Sequence, residues 1–247
     1  EGSMAKQGVA RVLGLIPAVR HRATWRLRAR MLPALAAGSG GRLLDVGCGN
    51  GEYLAIMRML GWSVVGIESD PAAAAQAQLS LGATVHIGTI ETAPFETGSF
   101  DAVVSSHVIE HVRDPGGFLV RALRFVKPGG RLVIVTPNAD SLGRRVFGRD
   151  WYSLDPPRHL RLLTPTWLKR ALADTRLCSS IEITTASDAA METARRAVAV
   201  RRTGRFLPLV ESSFWDGVRV AGFVLASHLL GSTAKWGEEI ELTAIRD

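Results

Sequence analysis

Leu43-Leu44-Asp45-Val46-Gly47-Cys48-Gly49-Asn50-Gly51 is the stretch of sequence that decides the fold. Its apolar run and closing glycines predict a buried strand that turns sharply into a helix. The spacing Gly-x-Gly-x-Gly departs from the dinucleotide fingerprint Gly-x-Gly-x-x-Gly, because Glu52 stands at the sixth position. A carboxylate at Asp45 would repel a pyrophosphate, so the loop favours a ligand that carries an ammonium or sulfonium charge.

Strands and helices alternate outward from this loop, which is typical of a parallel sheet with helices on both faces. Glu68 ends the second predicted strand, where its carboxylate can accept hydrogen bonds from both hydroxyls of a ribose. Ligands of such sheets bind at the carboxyl ends of the strands, so the loop and Glu68 are expected to share one site. The predicted strands are 42–46, 63–67, 84–87, 100–105, 131–136, 181–185 and 239–245.

Two boundaries divide the chain. Residues 4–40 have a basic, helical pattern, and Gly38-Ser39-Gly40-Gly41 separates them from a domain at 41–247. Residues 187–231 form a long insertion between the last two strands, with two predicted helices rich in arginine and apolar residues. We expect this insertion to fold back as a lid over the ligand cleft; contact with a membrane or a lipid-linked substrate is the alternative.

The composition is that of an ordinary globular protein. The 247 residues are 47% hydrophobic and 21% charged, which excludes a disordered, collagen-like or disulfide-scaffold chain. With two cysteines, no transmembrane stretch and no signal peptide, we expect a cytoplasmic protein, with a peripheral position at the membrane as the alternative. The net charge of +7 indicates an anionic partner or a basic solvated surface. Without a recognisable RNA-binding module, nucleic acid is not an expected partner, and the sequence predicts no oligomeric state.

Further motifs follow the glycine loop in a fixed order. They are Glu68, Pro94-Phe95 with Gly98-Ser99-Phe100-Asp101, His107-Val108-Ile109-Glu110-His111-Val112 and Lys127-Pro128-Gly129-Gly130. With them the chain resembles the class I S-adenosylmethionine-dependent methyltransferases over residues 41–138. Residues 150–175 are similar to a bacterial subgroup related to the ubiquinone-biosynthesis O-methyltransferases. The expected fold is therefore α/β: a Rossmann-like, doubly wound, seven-stranded sheet, mostly parallel with the last strand antiparallel, and helices on both faces.

The resemblance implies S-adenosylmethionine as cofactor and S-adenosylhomocysteine as product. Thr89 stands where the family often has an aspartate that contacts the adenine amino group. The implied cofactor-binding residues are Asp45, Gly47, Gly49 and Gly51 at the methionine part, Glu68 at the ribose with Ser69 beside it, Thr89, Ile90 and Glu91 at the adenine, and Ser105, whose backbone carbonyl would face the ammonium group.

Histidines supply the candidate reactive groups. An alcohol or phenol acceptor needs its proton removed, and His107 and His159 are the candidate bases, with Asp155 placed to orient His159. His107-x-x-Glu110-His111 would put three groups at i, i+3 and i+4 on one helical face, a spacing that can hold a divalent metal. Packing and hydrogen bonding are the alternative role of that group, and no metal is expected.

The expected reaction is O-methylation of a small-molecule or a glycan- or lipid-linked acceptor. The candidates are a sugar hydroxyl of a glycan or glycolipid and a quinone or natural-product phenol. The alternatives are an N-methyltransferase acting on protein or RNA and a non-enzymatic cofactor-binding subunit. Ser105-Ser106-His107-Val108 stands where an Asp/Asn-Pro-Pro-Tyr/Phe motif would support nitrogen chemistry, which weakens the first alternative.

Overall fold

A single mixed sheet of seven strands organises the structure. The strands are β1 Arg42–Val46, β2 Ser63–Glu68, β3 Thr84–Ile87, β4 Phe100–Ser106, β5 Val126–Pro137, β6 Cys178–Ala186 and β7 Glu239–Arg246. Their order is β3-β2-β1-β4-β5-β7-β6, and β7 runs antiparallel to both of its neighbours while the other pairs are parallel. The predicted fold class, with its antiparallel last strand, is confirmed.

The structure is a computed structural model that describes most of the chain. The predicted N-terminal helical segment at 4–40 lies outside the described residues. Within the part that the structure does describe, no helix is both long and apolar enough to cross a bilayer. The described residues are 41–82, 84–187, 189–204, 214–231 and 235–247.

Seven α-helices lie among the described residues. Asp70 and Asp114 precede two of them as N-caps, because each carboxylate accepts a hydrogen bond from a backbone N–H of the first turn, from Ala72 at 2.8 Å and from Gly117 at 2.9 Å. The proline after each aspartate suits the first helical position. The helices are α1 Glu52–Met59, α2 Pro71–Leu81, α3 Pro115–Phe125, α4 Leu142–Phe147, α5 Pro165–Thr175, α6 Ala190–Thr203 and α7 Phe214–Gly231.

Apolar side chains cover the sheet on both faces. On β4, Val103 belongs to the cluster that includes α3 and α5, whereas Val104 belongs to the cluster that includes α1 and α2. Successive strand residues point to opposite faces, so strands buried on both sides read as continuous apolar runs in the sequence. The chain turns in opposite directions after β1 and β4, which opens a crevice at their carboxyl ends.

Two local expectations change in the structure. Lys127–Gly130, which precede the strand predicted at 131–136, lie inside β5, where the residue paired with β4 passes from Val126 to Arg131 in an irregularity. The predicted helical face of His107, Glu110 and His111 is also absent. Only Ile109–His111 form a short 3-10 helix, and His107 precedes it with a φ of 55°.

Short helices fill the long connection after β5, which looked irregular in the sequence. It contains α4 and two 3-10 helices, Gly148–Asp150 and Tyr152–Leu154. Helix α6 of the insertion packs on this segment: Arg196 Nη1 donates a 2.7 Å hydrogen bond to the Tyr152 hydroxyl, and its guanidinium lies over the tyrosine ring. The insertion therefore rests on the connection that follows β5.

Candidate active site

The glycine loop after β1 takes the backbone shape that its sequence predicts. Gly47, Gly49 and Gly51 all have positive φ, at 80°, 54° and 84°. At Gly47 a Cβ would lie 2.2 Å from Cγ2 of Val108, so glycine is required both for conformation and for space. The loop leads directly into α1 and exposes backbone to the crevice.

Glu68 ties this loop to the end of β2. Its Oε2 accepts a 2.8 Å hydrogen bond from the Gly49 backbone N–H, and its Oε1 accepts one of 2.8 Å from the Asp70 backbone N–H. A carboxylate has about four lone-pair sites, so with these two bonds and the long one from the Ser69 hydroxyl, one remains for a ribose hydroxyl. Ser69 lies exposed beside it, with its hydroxyl 3.4 Å from Glu68 Oε1.

The loop is electrostatically negative. Burial raises the pKa of the Cys48 thiol to about 12, and the charges of Asp45 and Glu68 contribute to that rise. The thiol is therefore neutral, and the two carboxylates set the local potential. Such a site disfavours a pyrophosphate and suits a ligand with a positively charged sulfonium and ammonium group.

The other predicted cofactor residues follow β3 and β4. Thr89 and Glu91 are exposed after β3, whereas Ile90 is 3% exposed and packs in the main core. The Ile90 side chain thus belongs to the core, and its predicted place beside the adenine stays a prediction. Ser105 is buried at the end of β4, and its hydroxyl donates a 3.0 Å hydrogen bond to the Val46 carbonyl, joining the ends of the two central strands.

His107 lies between two carboxylates. Its Nδ1 is 3.3 Å from Glu110 Oε1, and its Nε2 is 3.2 Å from Glu239 Oε1. Removal from water lowers the pKa of His107, but the hydrogen bonds and charges of Glu110 and Glu239 together outweigh it and raise the pKa to about 10. Solvent reaches 44% of the side chain, yet both ring nitrogens face acids, so His107 is an imidazolium at neutral pH.

Glu110 is the buried partner in this group. Burial raises the pKa of its carboxyl, but the hydrogen bond and charge of His107 lower it more, so the net pKa lies below its usual value. Oε2 accepts a 3.0 Å hydrogen bond from the Thr136 hydroxyl. Oε1 has only the ion pair with His107, without a well-formed hydrogen bond among the described residues.

His111 and His159 come together from different elements. His111 ends the 3-10 helix after β4, and His159 lies in the connection after β5, with ring centroids 4.8 Å apart. The Glu110 backbone carbonyl accepts hydrogen bonds from the N–H groups of Leu160 and Arg161, at 2.8 and 3.1 Å, which hold the two segments against each other.

Backbone carbonyls orient both rings. His111 Nδ1 is 2.9 Å from the Arg158 carbonyl, and His159 Nδ1 is 2.6 Å from the Ser153 carbonyl. A carbonyl only accepts, so each Nδ1 carries a proton and donates it to the carbonyl, and the tautomer with its lone pair on Nε2 is the one that can accept a proton. Both histidines are therefore arranged as proton acceptors.

Asp155 does not orient His159 as predicted. Its carboxylate accepts a 2.7 Å hydrogen bond from Arg158 Nε and forms an ion pair with the same guanidinium. The residue is buried, and a φ of 32° places it at a sharp turn. Asp155 therefore shapes the loop, and the Ser153 carbonyl takes over the role of holding the His159 ring.

One set of potential metal ligands occurs among the described residues. Ligand atoms of Glu110, His111 and His159 lie within 4.8 Å of one another. The third candidate ligand is therefore His159, in place of the His107 that the sequence suggested. Two imidazoles and one carboxylate suit a transition metal. The weakly bonded Glu110 Oε1 fits such an ion, but the His107 imidazolium already balances its charge.

The structure adds two acids that the sequence reasoning missed. Glu239 pairs with His107, and its neighbour Glu238 accepts hydrogen bonds from the Gly143 N–H at 2.8 Å and from Trp151 Nε1 at 3.3 Å. The sequence did contain a signal for them, because the two acids lie at the start of the last predicted strand. An antiparallel last strand begins at the edge where the parallel strands end, so acids at its start lie beside the crevice.

Comparisons with known proteins agree with this architecture. A family model described as a methyltransferase domain matches residues 19–176. A ubiquinone biosynthesis O-methyltransferase of Xanthomonas oryzae pv. oryzae is 38% identical over 40% of this chain and 44% of its own length. One of a Bradyrhizobium strain is 34% identical over 56% of this chain and 59% of its own. The chain thus spans about half the length of these relatives.

Solved structures share the fold at low sequence identity. A methyltransferase from Archaeoglobus fulgidus, described as dependent on S-adenosylmethionine, superposes with a TM-score of 0.61 over 90% of this chain and 93% of its own, at 20% identity. The fold, the glycine loop with its acid at the second strand, and the match to the family model agree. The chain belongs to the methyltransferase-domain family and has the fold of the class I S-adenosylmethionine-dependent methyltransferases.

Proposed function

We propose that this chain transfers the methyl group of S-adenosylmethionine to a hydroxyl of a small-molecule acceptor. The observation that carries the proposal is the pair of imidazoles, His111 and His159, in the segments that follow β4 and β5, each with its Nδ1 held by a backbone carbonyl. A hydroxyl is a weak nucleophile until its proton is removed, whereas an amine attacks once it is neutral. Two oriented proton acceptors therefore favour oxygen as the methylated atom.

The cofactor, when bound, supplies an electrophilic methyl group on a sulfonium. The chain's own residues then have three tasks. Asp45 and Glu68 hold the cofactor through its ammonium group and ribose, and the glycine loop lets the backbone approach it. His159 Nε2 takes the acceptor's proton as the acceptor oxygen bonds to the methyl carbon, while the carbon–sulfur bond breaks. The rigid placement of the reacting groups supplies much of the acceleration.

His107 has a positioning role in this proposal. As an imidazolium it has no lone pair, so it cannot serve as the predicted base. It instead holds Glu110 and Glu239 together, which fixes the start of the 3-10 helix that carries His111. The same charge balance makes a bound metal unnecessary for the mechanism.

The relatives support a phenolic acceptor. These relatives are named as O-methyltransferases of ubiquinone biosynthesis, and O-methylation is the class of chemistry that His159 suits. A sugar hydroxyl of a glycan or glycolipid remains the other candidate acceptor. Both require the same deprotonation, but phenols ionise more readily and need less help from the base.

Transfer of a labelled methyl group to a panel of acceptors tests the proposal. The panel contains catechols and quinol phenols, sugars, amines and a peptide, each incubated with the full chain and methyl-labelled S-adenosylmethionine. We expect label on a phenol or sugar oxygen, identified by mass spectrometry. Label on nitrogen alone would overturn the oxygen assignment, and cofactor binding without transfer to any acceptor would indicate a non-enzymatic subunit.

A further inference from the structure

Helix α7 packs on the domain through one face. On this inner face Phe223 is 6% exposed and meets Phe147 of α4 with ring centroids 4.9 Å apart. The buried carboxylate of Asp216 pairs with Arg202 of α6 at 3.0 Å. The helix is thus fixed in orientation, and its opposite face is directed away from the core.

The outer face of α7 is apolar as well. Trp215, Val218, Leu225 and Leu229 are each between 49% and 70% exposed. At 3.6 residues per turn, these four and Gly222 fall within about 80° of the helix circumference. No charged residue lies in this stripe, which is an unusual surface to leave in water.

Helices α6 and α7 together carry a net positive charge. Helices α6 and α7 contain five arginines against two acids, Glu192 and Asp216. Both acids are paired within these helices, Glu192 with Arg196, and Asp216 with Arg202 and, at 4.0 Å, with Arg219. The remaining positive charge attracts anionic headgroups and repels a second copy of the same surface.

We propose that α7 binds in the plane of an anionic lipid bilayer, with its outer face among the acyl chains and the arginines at the headgroups. A helix that presents an exposed apolar stripe and carries basic side chains nearby can bind at a membrane surface in this way. Asp216 and Arg219 are consistent with a helix that lies in the interface and does not span it. This inference is independent of the proposed methyl transfer.

Vesicle sedimentation of the full chain tests the proposal. We expect the protein to sediment with phosphatidylcholine vesicles that contain phosphatidylglycerol, and much less with phosphatidylcholine alone. Raising the salt to about 1 M should release it, because the Debye length falls to about 3 Å. The double variant Val218→Ser/Leu225→Ser should bind the anionic vesicles about tenfold more weakly.

Leu79→Ser is the matched control, because Leu79 is an 88% exposed leucine on α2, away from the stripe. It should bind as the wild type does, and circular dichroism should show that all variants remain folded. Absence of binding to the anionic vesicles, or equal binding by the double variant, would overturn the proposal. So would a dimer in solution that the double variant dissociates, since the stripe would then belong to a second copy.

Discussion

His107 and His159 follow neighbouring strands at the same edge of the sheet, yet their ring nitrogens face different partners. Two carboxylates raise the pKa of His107 to about 10, so it carries a proton on each nitrogen. A backbone carbonyl faces only one nitrogen of His159, which leaves the other as a proton acceptor. The difference assigns charge balance to one histidine and proton transfer to the other.

Replacing His159 by alanine tests this division at the level of one residue. Loss of a general base typically costs about 100-fold or more in rate, so we expect kcat to fall by about that factor. Affinity for S-adenosylhomocysteine should stay unchanged, because His159 is not among the residues that hold the cofactor. Steady-state kinetics with the acceptor found in the panel gives the first number, and calorimetry gives the second.

His228→Ala provides the control, since His228 is exposed on α7 and its Nδ1 lies 2.9 Å from the Val224 carbonyl of the same helix. It should keep the wild-type kcat. An unchanged kcat in His159→Ala would show that another residue takes the proton, and would contradict the assignment.

The residue scale also shows what a sequence can and cannot predict. Glu68 and the glycine loop were readable, because short-range spacing alone places a carboxylate beside a strand end. The partners of the histidines were not readable. His107 meets Glu239 and His111 meets the Arg158 carbonyl across long stretches of chain, and such contacts depend on how the connections after β4 and β5 pack.

At the scale of elements, the start of β7 joins several parts of the site. Because β7 is antiparallel, Glu238 and Glu239 enter the edge where β4 and β5 end. Glu239 reaches His107, and Glu238 holds the segment of α4 and Trp151 through its two oxygens. Glu238 and Glu239 together therefore anchor both the charged group around His107 and the connection that carries His159.

The stability of this anchor should depend on pH. Burial raises the pKa of Glu238 to about 7, above the ordinary value of 4.5 that applies in the unfolded chain. The folded protein therefore holds a proton that the unfolded chain has lost, and its contribution is complete below pH 4.5 and is lost as the pH rises through about 7. From this residue alone we expect the free energy of unfolding to fall on the order of 3 kcal/mol over that range.

Urea denaturation at a series of pH values measures this effect, with Glu238→Gln as the comparison. The amide does not titrate, so the difference in unfolding free energy between wild type and variant should change across pH 4.5 to 7. A difference that stays constant over that range would contradict the account of Glu238.

The glycine loop supports a second prediction about an element. Gly47→Ala adds a Cβ that meets Val108 at 2.2 Å in a backbone with φ 80°, and we expect it to lower the free energy of unfolding by about 2–3 kcal/mol. Gly49 also has a positive φ, but the space around it is open. We therefore expect Gly49→Ala to lower the free energy of unfolding by about 1 kcal/mol. Equal losses in denaturant titrations would show that the contact with Val108 is not the constraint.

At the scale of the whole molecule, the sequence predicted the alternation of elements and the antiparallel last strand. It did not predict that the insertion rests on the connection after β5 through Arg196 and Tyr152, because surface helices give no signal of their docking partner. The sequence favoured a lid for the whole insertion, with contact at a membrane as the alternative, and the exposed stripe of α7 supports the alternative for that helix.

Metal dependence is also a property of the complete molecule. Because the His107 imidazolium balances Glu110, we expect exhaustive dialysis against chelator to leave both methyl transfer and the melting temperature unchanged. Elemental analysis of the dialysed protein provides the control for metal removal. Activity that is lost on dialysis and restored by zinc or manganese would instead assign Glu110, His111 and His159 to a bound ion.

The central claim is that the glycine loop and Glu68 form a site for S-adenosylmethionine, and titration calorimetry with S-adenosylhomocysteine tests it most directly. We expect one equivalent to bind the wild type, and Glu68→Gln to bind at least about tenfold more weakly, because it loses a charge-assisted hydrogen bond to the ribose. NADH should not bind. Binding of NADH without binding of S-adenosylhomocysteine would contradict the account.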